Sequence, residues 1–438
     1  MKAERMELTG RNGRVAIVAG LRSPFARAGS QFRDLDAVQL GAAVVSELLA
    51  RADLDPQVID QCVFGQTIMK PEAPFIAREI VLATGMSPHT DAYSLTRACA
   101  TSFQTVASAA NSITVGEAEV VVAGGVDSTS AVRIPLSVKC SAILRDASFA
   151  KSPLERIRAL SRLRPRDLIP SQPSITEYST GRSMGESAEA MAKRWGITRE
   201  EQDDIAHASH QKAANAWRDG KLRDEVMTVF VDENGKAVAV GEDNLVRRKS
   251  VRENYSKLKP VFDRQYGTVT AGNASALTDG AAALILMSES RAKALGYQPL
   301  AYLKSFAFAA RSPKKDLLMG PVLAAPVALD RAGLTLQDMD LVDMHEAFAA
   351  QIACNVKGFK SRDYLEQHTG RRKALGEIDP ERLNVLGGSL SYGHPFGATG
   401  ARMITQTSNE LRRRGGGLAL MTACAAGGIG AAMVIEAE

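Results

Sequence analysis

CATSFQTVASAANSITVGEAEVVVAGG, residues 99–125, opens on a cysteine, runs through a helix of small residues and ends in an apolar strand closed by two glycines. The same order returns at residues 394–428, HPFGATGARMITQTSNELRRRGGGLALMTACAAGG, where a histidine opens the helix and the strand carries a second cysteine. Cys99 precedes Val120 by 21 residues, and His394 precedes Leu418 by 24. A unit recurring in one order at nearly one spacing marks a duplicated αβ half. Packed about a pseudo-twofold axis, the two copies would bring Cys99 and His394 together at the centre.

Outward from these units, strand-like and helix-like runs alternate, which predicts α/β layers. RVAIVAG, AALILMS, LAYLKSFAFA and LVDMHEAF read as strands or strand ends. A helix is expected from about Ala37 to Ala52, with Leu40, Val44, Val45, Leu48 and Leu49 on one face. Residues 132–262 are more charged and weaker in strand periodicity, and read as an inserted, mostly helical loop domain. Within it, GESAEAMAKRWGITREEQDDIAHASHQKAANAW reads as two helices, the second opened by a Thr198–Glu201 capping box. The expected division is 1–131 with 263–293 for the first half and 294–438 for the second.

The 438 residues carry 54 Lys and Arg against 49 Asp and Glu, a net +5, too little for this length to suggest a nucleic-acid partner. Residues 139–166 alone carry eight basic and two acidic side chains, a net +6, so the rest of the chain is near neutral. SPLERIRALSRLR in this segment predicts a short helix capped by Ser152, with Pro153 in its first turn and Glu155 completing the box. The segment reads as a solvated face, a docking surface for a protein partner, or a contact with an anionic membrane. Five scattered cysteines without a CxxC pair suit a reduced, cytoplasmic chain. The start is too polar for a signal peptide, and no apolar run is long enough to span a bilayer.

Four side chains are candidates for chemistry. Cys99 would sit at a helix N-terminus, where the dipole favours a thiolate. His394, on a glycine-rich turn, could take its proton. Cys424, at a strand end before a glycine turn, could serve as an acid/base. His345, in VDMHEAF, could polarise a carbonyl or orient water. HEAF is not a zinc HExxH, because position 349 is Ala, so no metal is expected, and no nucleotide-binding glycine motif occurs.

Taken together, VAIVAGLRSPFAR, SLTRACATSF, GTVTAGNASALTDGAAA, LVDMHEAFAA, NVLGGSLSYGHPFGATGAR and MTACAAGGIGAA resemble the thiolase family over nearly the whole chain. The wording is nearest to members that form the β-subunit of bacterial fatty-acid oxidation complexes, related to the mitochondrial trifunctional β-subunit. The resemblance implies a five-layered α-β-α-β-α core. It also implies an acetyl-CoA acyltransferase that cleaves 3-ketoacyl-CoA with CoA, a co-substrate rather than a bound cofactor, in fatty-acid β-oxidation. Cys99 would be the nucleophile, His394 its base, Cys424 the proton donor, and His345 would replace the Asn that supports an oxyanion hole in most members. The backbone N–H of Ala426 would serve the other hole, while Ser275 and Met184 would flank the CoA arm. The resemblance further implies a homodimer, an α2β2 complex with a hydratase/3-hydroxyacyl-CoA dehydrogenase subunit, and a cytoplasmic place with peripheral membrane contact. A biosynthetic acetoacetyl-CoA thiolase, a ketoacyl synthase and a non-catalytic lipid-binding homologue are the alternatives. The synthase lacks an equivalent of Cys424.

Overall fold

The computed structural model describes residues 8–10, 12–132, 136–169 and 176–438. Two compact units divide it, 132–183 and the remainder. The helices expected within 132–262 that fall after residue 183 belong to the larger unit. They are α3 (Met184–Trp195) and α4 (Arg199–Arg218), whose buried faces pack on α6 (Ala349–Lys360) of the second half of that unit.

The larger unit is built on one continuous sheet. Its first half contributes β1 (Gly13–Arg22), β2 (Gln61–Gly65), β3 (Asp91–Leu95), β4 (Val120–Asp127) and β5 (Thr278–Ser288) in the spatial order β1-β5-β4-β2-β3. The second half contributes β6 (Ala301–Ala310), β7 (Leu341–Met344), β8 (Gly417–Ala425) and β9 (Ile429–Ala437) in the order β6-β9-β8-β7. Each half therefore places its first strand beside its last, then its penultimate, then its second. β1 and β6 pair antiparallel through Ile17 and Ala301, joining the halves. The duplication read from the two central units extends to the order of four strands in each half, with β3 added at the edge of the first.

Helix α1 (Ala37–Arg51) starts at Asp36, whose carboxylate accepts from the Gln39 N–H while the Gln39 side chain accepts from the Asp36 N–H. Leu40, Val44, Val45, Leu48 and Leu49 face the outer side of the first half and are buried. On the opposite outer side lies α5 (Gly320–Ala332), packed on β6, β9 and β8. Between the halves lie α2 (Thr101–Val115) and α7 (Thr399–Arg413), in contact with each other and sharing one apolar core. This is the α-β-α-β-α layering. Small side chains permit the close central crossing. A Cβ on Gly400 would stand 2.7 Å from the Phe103 backbone N and 2.9 Å from Ser102 Oγ, and Ser102 Oγ accepts from the Ala401 N–H at 2.8 Å.

The smaller unit holds helices Val138–Ser148 and Pro153–Leu160, packed on each other. Ser152 caps the second by accepting from the Glu155 N–H, but the Glu155 carboxylate reaches the Lys151 N–H instead of closing the box on Ser152. That helix buries none of its residues, and Leu154 and Ile157 are exposed. Among the described residues no helix is long and apolar enough to cross a membrane.

Candidate active site

The parallel strands of both halves run out toward one centre, the usual place for a site on an α/β sheet. Cys99 lies on a tight turn before α2. Ala98 holds a left-handed φ of 48°, a conformation costing a non-glycine residue roughly 1–2 kcal/mol. The Thr101 and Thr67 hydroxyls donate to the Ala98 carbonyl at 2.7 and 3.1 Å and hold the turn. From the second half, His394 sits on the turn before α7, and its backbone N–H bonds to the Ala276 carbonyl. His345 follows β7, its N–H bonded to the Thr422 carbonyl of β8. Cys424 lies on β8.

Asp127, at the end of β4, ties the halves together. Its carboxylate accepts from the backbone N–H groups of Thr67, Ile68 and Gly397. Gly397 is three residues from His394, so one buried carboxylate fixes the loops beside Cys99 and His394 together. Burial pushes it up to about 6.

The Cys99, His345 and His394 donor atoms lie within 4.8 Å of one another. The two imidazoles pack with centroids 4.1 Å apart, tilted by 46°. Both rings are buried, and both Nε2 atoms lack a protein partner. His394 Nδ1 lies 2.6 Å from Thr399 Oγ1, and His345 Nδ1 lies 2.9 Å from Ser389 Oγ. These three donors are the group through which the described residues could hold a soft divalent ion, though ordinary ligand distances near 2.0–2.3 Å require them drawn closer.

Burial pushes the Cys99 thiol up to about 12, opposed by the backbone N–H groups of Ala426 and of Cys99 itself, which point at the sulfur. The thiolate expected from the helix N-terminus is therefore not the resting form: desolvation outweighs it, and α2 begins two residues later, at Thr101. Burial, then the charge of Arg402, lowers His394 to about 3. Burial, then His394 and Arg402, holds His345 well below the usual histidine range. Cys424 is raised well above an ordinary thiol, by burial first and then by nearby Cys99. The resting centre is thus neutral, with thiol, thiol and two uncharged imidazoles. It can shuttle protons between S and N when a substrate supplies the driving charge.

Ala426 does not take a left-handed φ; Gly427 and Gly428 after it do, at 79° and 73°. An alanine is therefore tolerated at the N–H donor. Ser275 is half-buried, and its N–H bonds to the Ala347 carbonyl, pinning the TAGNAS loop to HEAF. Met184, half-buried, opens α3 near Phe262, whose ring packs on Gly185 and edge-on to Phe348 at 6.5 Å. Sequence reading missed Asp127, Thr399, Ser389 and Arg402. Only position signalled them: Asp127 ends a strand, and Thr399 and Arg402 lie within the turn and helix that follow His394.

A duplicated five-layered core with a cysteine on one central turn and a histidine on the other defines a class of acyl-transfer fold. This chain belongs to the thiolase family: residues 15–290 match the thiolase N-terminal domain and 297–437 the thiolase C-terminal domain. It is 58% identical over 429 residues to a 3-ketoacyl-CoA thiolase of Pectobacterium atrosepticum, covering 98% of each chain. It is 56% identical to that of Serratia proteamaculans, covering 100% of each. Among solved structures, the Bacillus anthracis acetyl-CoA acetyltransferase superposes with a TM-score of 0.81 at 32% identity, covering 100% of both chains. The human mitochondrial 3-ketoacyl-CoA thiolase in complex with CoA superposes with a TM-score of 0.81 at 31% identity, again covering 100% of both.

Proposed function

We propose that this chain is a 3-ketoacyl-CoA thiolase, an acetyl-CoA acyltransferase that cleaves 3-ketoacyl-CoA with CoA in β-oxidation. The observation that carries the reading is the convergence of Cys99, His345 and His394, with the Ala426 N–H on the sulfur and Cys424 beside it. His394 takes the Cys99 proton at Nε2, which requires its own hydrogen on Nδ1, donated to Thr399 Oγ1. The thiolate attacks the 3-keto carbon. The C2–C3 bond then breaks, leaving the acyl group on Cys99 and the enolate of acetyl-CoA. Cys424 protonates that enolate. The Cys424 thiolate next takes the proton of an incoming CoA thiol, and the CoA sulfur attacks the acyl-Cys99 carbonyl. The departing Cys99 thiolate regains its proton from His394. Negative charge develops on two oxygens, so two donor sets are needed. The His394 and His345 side serves the thioester oxygen of the enolate, and the Cys99 and Ala426 N–H groups serve the oxygen at the carbon attacked by sulfur. Ser275 and Met184 flank the CoA arm. CoA is a co-substrate, and no permanent cofactor takes part.

The test is steady-state cleavage of 3-ketoacyl-CoAs of increasing length with free CoA, together with mass mapping after incubation with acetyl-CoA alone. An acetyl group on the Cys99 peptide is expected. Zero turnover across the series, or label on Cys62, Cys140 or Cys354, would overturn the reading.

A homodimer is supported by the outer edge of β3, which pairs with no further strand among the described residues and carries the exposed Tyr93. Further assembly as α2β2 with a hydratase/3-hydroxyacyl-CoA dehydrogenase partner, in the cytoplasm with peripheral membrane contact, is supported by the basic 139–166 segment and the exposed apolar side chains it carries.

A further inference from the structure

Behind His345 stands a chain of buried polar groups that the reaction above does not use. Ser389, wholly buried, opens the short helix Ser389–Tyr392, and its Oγ lies 2.9 Å from His345 Nδ1. Arg402 Nη2 donates to the same oxygen at 3.2 Å. Arg402 is 1% exposed. Its Nη1 donates to Gln406 Oε1 at 2.8 Å and lies 3.7 Å from Asp343 Oδ2, so the charge is compensated in place.

Proton counting decides what this chain does. A guanidinium only donates, so Ser389 Oγ is the acceptor toward Arg402. The hydroxyl has one hydrogen to give. Of its two described partners, Arg402 and His345, only His345 Nδ1 can accept. If instead Nδ1 carried the hydrogen, the serine proton would be buried without an acceptor, an arrangement that buried polar groups avoid. Nδ1 is therefore bare and Nε2 carries the hydrogen. That Nε2 is buried, has no protein partner and lies beside Cys99 and His394.

We propose that Ser389 and Arg402 are positioning residues that lock His345 in the tautomer with hydrogen on Nε2, so that a neutral imidazole presents a fixed N–H donor to the oxyanion. The cation polarises the serine hydroxyl, which in turn polarises the ring, and chained bonds of this kind reinforce one another. The device is needed because the side chain is histidine. A carboxamide offers an N–H without a tautomer to choose, whereas an unlocked imidazole offers either an N–H or a lone pair. His394 requires the opposite tautomer, with Nε2 bare, so two rings in contact carry complementary edges into one site.

The inference rests on His345 serving the oxyanion, and two measurements separate the two readings. In 15N spectra of the intact enzyme labelled at histidine, the signals missing from His345→Asn identify His345. A bare Nδ1 and a protonated Nε2 are expected; a protonated Nδ1 overturns the lock. In kinetics, Ser389→Ala should lower kcat by about five- to tenfold, the worth of one net hydrogen bond, with KM nearly unmoved. In a His345→Asn background the same substitution should change kcat by less than about twofold. Equal effects in both backgrounds would make Ser389 a packing residue and overturn the proposal. A His345→Ala enzyme with unchanged kcat would overturn the oxyanion reading itself, while the spectrum still reports on the lock.

Discussion

Gly400 stands where α7 crosses α2, and replacing it with alanine tests whether that crossing sets the catalytic geometry. The added Cβ would meet the Phe103 backbone N and Cδ2 at 2.7 Å and Ser102 Oγ at 2.9 Å, against about 3.4 Å for ordinary contact. The backbone N cannot swing aside, so the helices must part by about 0.7 Å. That stretches the Ala401 N–H bond to Ser102 Oγ, now 2.8 Å. Overpacking of this kind costs roughly 1–3 kcal/mol. Cys99 and His394 ride on the turns that open these helices, so the same displacement separates sulfur from base. A misplacement near 1 Å costs about a hundredfold in rate. The expected Gly400→Ala enzyme is folded, with a lower urea midpoint and acetylation of Cys99 slowed by about one to two orders of magnitude. Rapid-quench mass spectrometry reads the acylation rate, and urea titration reads the stability. A variant within about 0.5 kcal/mol of the parent that acylates at the parent rate would refute the reasoning.

Cys424→Ala should still take an acetyl group at Cys99 but lose exchange of deuterium into the methyl of acetyl-CoA by about a hundred- to ten-thousandfold; normal exchange would remove Cys424 from proton transfer. Glu289 is held down to about 2 by hydrogen bonds from Arg14 and then Lys293, so its contribution is complete above the ordinary carboxylate range and is lost as pH falls through about 2. Glu289→Gln should therefore cost about 1 kcal/mol at pH 7 and less at pH 3.5 in urea titrations, and a gap that widens on acidification would contradict this. Reversing Arg156, Arg158, Arg162 and Arg164 to Glu should spare cleavage of a short soluble substrate and weaken salt-sensitive binding to the dehydrogenase partner or to anionic liposomes; if both bindings survive, the segment is a solvated face.

The repeated unit was legible because small residues and glycines are forced wherever two helices and two strands cross closely, and such residues are read directly from the chain. The apolar face of α1 and the capping box at Thr198 were legible for a similarly local reason: periodicity and caps act within a few residues. The ionisation of Cys99 was not. A helix N-terminus is visible in sequence, but the burial that outweighs it depends on what packs over the sulfur from residues hundreds of positions away. The groups behind the catalytic side chains were hidden for the same reason. Ser389 and Arg402 are ordinary polar residues in sequence and become a relay only when α7 lies against the strand that leads into His345. The path of the first half's sheet, which places its last strand beside its first, was implied by the duplication but not by any run of residues.

The split origin of the centre has a consequence for how the protein comes into being. Cys99 leaves the ribosome long before its partners, His394 and Cys424, which follow it by 295 and 325 residues. Until β8 and β9 dock and α7 slides against α2, the thiol has no base, no donor pair and no second sulfur. A truncated or stalled polypeptide therefore cannot trap acyl groups from the cell's thioester pool. Competence arrives only with β8 and β9, so turnover reports that these strands have been made and docked.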